Sequence, residues 1–133
     1  MGLESTTAPV SKKLVWAGWV VSVLPALMLL LSAVMKLVKP APVVEGFTHL
    51  GYPESLALGL GILELVCTVV YLLPRTAVLG AVLLTGYLGG AVATHVRMGE
   101  TGKMFVPILF AVLLWGGLYL RDARLRELVP LRR

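Results

Sequence analysis

The residues that could do chemistry in this chain are polar side chains that interrupt apolar stretches. Glu64 lies between Leu63 and Leu65, near the middle of such a stretch. An ionisable group in apolar surroundings costs free energy unless it has a partner or a function. Carboxylate, imidazole and phenol groups can exchange protons and hydrogen-bond small polar headgroups. The candidates of these types, with the basic groups near them, are Lys36, Glu64, Tyr87, His95 and Arg97.

The composition indicates what surrounds these residues. Hydrophobic residues make up 58% and charged residues 14% of the 133 residues, whereas an ordinary soluble domain has about 25% charged residues. A chain of this length folded in water buries about two-thirds of its surface, too little to cover so many apolar side chains. The composition excludes a soluble globular domain, a disordered chain and a disulfide scaffold. It predicts one membrane domain over residues 1–133.

Four apolar stretches predict the elements that position the candidates. Each is near the length of about 20 residues at which a helix crosses a bilayer. They cover about residues 14–36, 55–73, 77–96 and 104–121. Transmembrane barrel strands would be about ten residues long and would alternate, which these stretches do not. The predicted fold class is therefore all-α: an integral membrane four-helix antiparallel bundle.

The connection between the first two stretches predicts one further element. Its apolar residues recur at helical spacing, which is typical of a short helix lying in the membrane interface. These residues are Val43, Val44, Phe47 and Leu50.

Basic residues predict the orientation. Eight Lys and Arg lie on one predicted side of the membrane: Lys12, Lys13, Arg75, Arg121, Arg124, Arg126, Arg132 and Arg133. Four lie on the other: Lys36, Lys39, Arg97 and Lys103. The excess of positive charge predicts that both termini are cytoplasmic, in a multi-pass protein of a cell membrane, with the bacterial inner membrane favoured. The same placement explains the net charge of +5 without nucleic acid, which is not a predicted partner.

Helical spacing predicts that the candidate residues share a pocket. Tyr87 and His95 lie on one face of the third stretch, and the simplest bundle turns that face toward Glu64. With Lys36 and with Arg97 near its mouth, this predicts a polar pocket in the outer half of the membrane. Each residue also has a structural reading: Lys36 reaching the headgroups, His95 capping its helix, Glu64 or Tyr87 fixing helix packing, and Arg97 meeting lipid phosphates.

Three other features limit the chemistry. Cys67 is the single cysteine, which excludes a dithiol within the chain. His49, His95 and Glu64 have no metal-ligand spacing, so no metal site is predicted. Gly86 and Gly90 form a GxxxG step that suits close helix packing, either within the bundle or between two copies. No catalytic residue is assigned from the sequence.

Several short strings, in this order and spacing, resemble the DoxX-like family of small four-helix membrane proteins. The resemblance covers roughly residues 15–120. The strings lie at residues 31–37 (LSAVMKL), 50–54 (LGYPE), 61–65 (GILEL), 73–76 (LPRT) and 85–97 (TGYLGGAVATHVR).

The resemblance implies two kinds of function. Family members include subunits linked to thiosulfate:quinone oxidoreduction and partners of redox and thiol-stress complexes, and distant relatives are chaperones of acetylcholine receptors. We therefore expect a quinone- or small-molecule-binding subunit associated with membrane oxidoreductase machinery, with quinone as the candidate cofactor. Any enzymatic role would be that of an accessory subunit. The alternative is a non-enzymatic assembly factor or chaperone, with a membrane protein or a second copy as partner.

Overall fold

The structure is a computed structural model that describes residues 12–129. Within that range the chain is all-helical and has no strand, as the sequence predicts. In chain order the helices are α1 (Lys12–Val38), α2 (Ala41–His49), α3 (Leu56–Leu72), α4 (Ala77–Arg97), α5 (Phe105–Arg121) and α6 (Ala123–Leu128). A 3-10 turn, Pro74–Thr76, joins α3 to α4.

The four longest helices begin and end within two residues of the predicted apolar stretches. Among the described residues, two helical segments are long and apolar enough to cross a membrane: Lys12–Val38 and Pro74–Arg97. α3 and α5 are apolar but have 17 residues each, the lower end of the spanning range. That all four cross stays a prediction. So does the orientation, for which Arg132 and Arg133 lie outside the described residues.

The long helices pack around a shared core. α1 contacts α3 and α5, and α4 contacts the same two helices. The ends of α1 and α4 therefore lie beside the starts of α3 and α5. We call this the α2 end of the molecule and its opposite the α6 end. The core between the helices is built mainly of Leu and Ala side chains, including Ala26, Leu29, Leu84, Leu114 and Leu118.

Large apolar side chains cover the outer faces of the helices. Those that are more than half exposed include Trp16, Leu31, Val66, Phe105 and Val112. Soluble monomers rarely expose apolar patches larger than a few hundred Å². Helices that are apolar on both their inner and outer faces suit a lipid bilayer, because acyl chains replace water as the solvent of the outer face.

Glycines set the closest helix contacts, but at other positions than the sequence predicts. A Cβ on Gly80 would overlap the backbone of Tyr71, and a Cβ on Gly18 would lie 2.7 Å from the Gly117 carbonyl oxygen. A Cβ on Gly86 or Gly90 would meet no atom of the described residues within 4 Å. The GxxxG step therefore makes no close contact within residues 12–129, and its packing against a second chain stays a prediction.

A hydrogen-bonded cluster joins three helices at the α6 end. The Tyr71 hydroxyl is buried and lies 2.6 Å from the Leu114 carbonyl oxygen and 2.9 Å from Ser22 Oγ. Arg121 donates from Nε to Ser22 Oγ at 3.2 Å. Its guanidinium carbon lies 4.0 Å from the centre of the Trp19 ring. These contacts join α1, α3 and α5 at the α6 end of the molecule.

Candidate functional site

A buried ion pair lies at the centre of the site. Lys36 Nζ, near the end of α1, lies 2.9 Å from Glu64 Oε1 on α3. The Glu64 side chain is 2% exposed and the Lys36 side chain 18%. A charge in such surroundings needs a partner, because the low dielectric makes an unpaired ion very costly. The pair accounts for a glutamate in the middle of an apolar helix.

Two hydroxyl groups complete the surroundings of the carboxylate. Ser32 Oγ donates to Glu64 Oε1 at 3.2 Å, and the Tyr87 hydroxyl donates to the same oxygen at 3.3 Å. Lys36 also donates to Ser32 Oγ at 2.7 Å. One carboxylate oxygen thus accepts hydrogen bonds from side chains of α1 and α4, so this buried acceptor is well satisfied.

Local sequence explains why the helices come together here. Ser32 and Lys36 are four residues apart and therefore lie on the same face of α1. Opposite them on α3 stands Gly61, where an added Cβ would lie 3.0 Å from Lys36 Cβ and 3.1 Å from the Ala33 carbonyl oxygen. The missing side chain lets α1 approach α3 closely, one turn from Glu64. The separation of the two backbones therefore suits a direct contact between ammonium and carboxylate.

A groove of about 400 Å³ lies between α3 and α4 at the α2 end. Its polar wall includes Lys36, Tyr87 and His95, and α2 and the segment after it cover it with Phe47 and Tyr52. Gly86 and Gly90 line the same groove. Their small size leaves this space open, since a larger side chain at either position would project into it. We call this space the lateral groove.

A second space, of about 350 Å³, lies between α1, α4 and α5. Its lining includes all four residues of the hydrogen-bonded ion-pair cluster: Ser32, Lys36, Glu64 and Tyr87. We call it the central cavity. Lys36 and Tyr87 border both spaces, whereas Glu64 is part of the central cavity's wall and is not part of the lateral groove's.

The structure separates the five predicted site residues into two groups. Lys36 and Tyr87 both hydrogen-bond to Glu64. His95 borders the lateral groove, but its Nδ1 lies 3.7 Å from Glu100 Oε1 and not beside Glu64. Arg97 borders neither space; it donates to the Leu50 carbonyl oxygen and lies 5.7 Å from the centre of the Tyr52 ring.

The groups around His95 and Arg97 hold α2 over the lateral groove. The Tyr52 and Thr94 hydroxyl groups are 2.6 Å apart, which ties the segment after α2 to α4. His49 Nε2 lies 3.2 Å from Glu100 Oε2, which ties the end of α2 to the α4–α5 connection. Sequence reasoning missed Tyr52 and Glu100 because both lie in connecting segments. The one sequence feature that could have indicated Tyr52 is its position between Gly51 and Pro53, in a turn that connects α2 to α3.

Glu100 is the charged centre of this outer cluster. Lys103 Nζ lies 2.8 Å from Glu100 Oε2. Hydrogen bonds from Lys103 and then from His49 lower the pKa of the Glu100 carboxyl from 4.5 to about 2. Both histidines thus approach one carboxylate, yet among the described residues no group of three His, Cys, Asp or Glu side chains is arranged to hold a metal ion.

An all-helical chain with long apolar helices and apolar outer faces around a buried ion pair has the character of a small membrane protein. The model of the DoxX-like family matches residues 20–117. The chain therefore belongs to the DoxX-like family, as its sequence strings indicate. No curated protein and no solved structure matches it.

Proposed function

We propose that this protein is a four-helix integral membrane protein that binds the headgroup of a quinone or a similar small molecule in the lateral groove. In this proposal both termini are cytoplasmic, the α2 end lies in the outer half of the membrane, and α2 lies in the interface. The binding would serve a membrane oxidoreductase with which the protein associates.

One observation carries the proposal: hydrogen-bonding groups border a space of about 400 Å³ that is otherwise apolar. Lys36, Tyr87 and His95 can donate hydrogen bonds to carbonyl oxygens of a headgroup. Leu60 and Leu63 of α3 also line the groove, and Leu63 is 48% exposed. A ligand with an apolar tail could therefore place its headgroup under α2 and leave its tail among the lipids. Binding sites of this size are typically apolar with a few placed polar groups.

The role of Glu64 in this proposal is to handle a proton. It touches Lys36 and Tyr87, which border the groove, so a proton can pass between the carboxylate and a bound headgroup through these side chains. Within residues 12–129 no second cysteine accompanies Cys67 and no metal-binding group is present. Electron transfer would therefore belong to the partner enzyme.

The test is binding of decylubiquinone, a short-tailed quinone, to the purified protein in lipid nanodiscs. We expect saturable binding that Glu64→Gln weakens at least tenfold. Glu45→Gln makes the same chemical change on the exposed face of α2 and should bind like the wild type. Gly90→Leu should abolish binding by filling the groove, since nothing within 4 Å opposes the new side chain. Unchanged affinity in Glu64→Gln would contradict the proton role of Glu64. Unchanged affinity in Gly90→Leu would show that the lateral groove is not the binding site.

A second candidate function is that of an assembly factor or chaperone. The observation in its favour is the open face of α4, where Gly86, Gly89 and Gly90 are exposed and a Cβ would meet nothing within 4 Å. A client helix could pack closely there. Gly89 does not line the lateral groove, so Gly89→Leu separates the two functions. Loss of a crosslinked membrane partner in Gly89→Leu with retained quinone binding would favour the assembly role.

A further inference from the structure

The ion pair borders two spaces, the lateral groove and the central cavity. A ligand in the lateral groove gives no role to the central cavity. Lys36 and Tyr87 stand between the groove and the central cavity. Glu64 lines the central cavity but does not line the lateral groove. A headgroup in the groove would therefore meet the ammonium and the phenol, while the carboxylate would face a separate space.

The central cavity is large enough to hold water, and polar groups lie on one wall of an otherwise apolar lining. Its volume of about 350 Å³ has room for about ten water molecules at roughly 30 Å³ each. Cavities that stay empty are lined by apolar groups, whereas a water molecule is held by two to four polar partners. Here Ser32 Oγ, Lys36 Nζ, Glu64 and the Tyr87 hydroxyl converge on one wall.

The cavity extends toward the α2 end of the molecule. Its lining includes Val106 and Pro107, which belong to the first turn of α5, and Phe110 one turn further on. Val106 is 58% exposed. The cavity thus reaches from the edge of the α4–α5 connection to the carboxylate in the middle of α3.

We infer that the central cavity is a hydrated vestibule through which protons reach Glu64 from the aqueous phase at the α2 end, separately from the ligand in the lateral groove. The biological role of this vestibule rests on the proposed function, but the experiments that test its hydration do not. Water in the cavity would hydrogen-bond the buried Glu64 carboxylate where it borders the cavity. Lys36 and Tyr87 would then be the dividing wall, in contact with the proton carrier on one side and with the ligand on the other.

Cysteine accessibility tests the vestibule without any quinone. In a Cys67→Ala background, Leu88→Cys places a thiol on the cavity wall, and Leu84→Cys makes the same change one turn away on α4. Both leucines are buried, at 5% and 0% exposure. With the protein in nanodiscs, a charged methanethiosulfonate should label Leu88→Cys at least tenfold faster than Leu84→Cys. Equal rates would overturn the inference. Labelling of Leu88→Cys by a lipid-soluble maleimide alone would also overturn it, because acyl chains would then fill the cavity.

A measurement on the unaltered chain covers the case in which a cysteine variant does not fold. Water-edited solid-state NMR follows magnetisation from water to a ¹³C-labelled glutamate carboxyl, and Glu64→Gln identifies the signal. We expect the Glu64 signal to build up nearly as fast as that of the exposed Glu45. A build-up as slow as that of buried core methyl groups would show a dry cavity and end the proposal. Failure of quinone binding with rapid build-up would instead reject the proposed ligand and keep the vestibule.

Discussion

Lys36 Nζ lies 2.9 Å from Glu64 Oε1 although the two residues are 28 positions apart and belong to different helices. Their exposure differs: the lysine side chain keeps 18% of its surface, while the glutamate keeps 2%. Lysine can extend its ammonium group toward water along an apolar surface, whereas a short glutamate side chain in mid-helix cannot. The two partners are therefore not equivalent, and removing one has a different effect from removing the other.

Lys36→Met should destabilise the protein more than Glu64→Gln. The first change leaves a buried carboxylate without its counter-ion, at a cost of about 3–5 kcal/mol. The second leaves an ammonium group that can turn toward water, at about 1–3 kcal/mol. Denaturant unfolding in detergent micelles, followed by circular dichroism, measures both. The double variant should be more stable than Lys36→Met alone, and the reverse order of the single variants would contradict this account.

Gly80→Ala and Gly90→Ala should have opposite effects on stability. A Cβ at Gly80 would overlap the backbone of Tyr71, and such overpacking costs about 1–3 kcal/mol. Gly90 has open space, so the alanine should stabilise α4 by about 0.5–1 kcal/mol through its helix propensity. Thermal unfolding of the two variants in the same detergent distinguishes them. Destabilisation by Gly90→Ala would mean that a second chain packs there.

Tyr71→Phe should destabilise the α6 end. It removes the hydroxyl that bonds the Leu114 carbonyl and Ser22 Oγ, and buried groups left without a partner cost about 1–3 kcal/mol. Tyr119→Phe serves as a matched control, because Tyr119 packs against the core without a hydrogen bond from its hydroxyl to the described residues. The free energies of unfolding of both variants check the difference. Equal values would show that the Tyr71 hydroxyl contributes nothing.

The ion pairs of Glu100 should make the stability of the α2 end depend on pH in acid. The folded-state pKa of Glu100 is lowered from 4.5 to about 2, mainly by the hydrogen bond from Lys103 and to a smaller extent by that from His49. A lowered pKa stabilises the fold fully above pH 4.5, and this contribution disappears as the pH falls through about 2. The difference in unfolding free energy between wild type and Glu100→Gln should therefore shrink between these pH values.

Lys103→Met is the control for that pH dependence. It removes the largest cause of the lowered pKa, so the acid-induced loss of stability should be smaller and should be complete at a higher pH than in the wild type. Glu54→Gln changes a glutamate on an exposed turn and should leave the acid profile unchanged. An acid profile of Glu100→Gln that parallels the wild type down to pH 2 would contradict the role of Glu100.

The apolar stretches of the sequence were sufficient to predict the helices, because length and composition are local properties. They were also sufficient to predict that Glu64 needs a partner. The serine and lysine four residues apart on α1 were visible as a family-like string, and both lie beside the carboxylate. Packing glycines were predicted less well: the GxxxG step lines an open groove, while the close contacts fall at Gly18, Gly61, Gly80 and Gly117.

The partner of each polar group depended on tertiary structure. Helical spacing places His95 and Tyr87 on one face of α4, but rotation and tilt of the helix decide which of them reaches α3. Tyr87 contacts Glu64, while His95 lies beside Glu100 in the next connection. The sequence by itself determined an apolar helical chain with a costly buried acid. Only the packing of the helices decided which side chains neutralise it and what spaces remain around it, because contacts between distant residues depend on how whole helices dock and not on local periodicity.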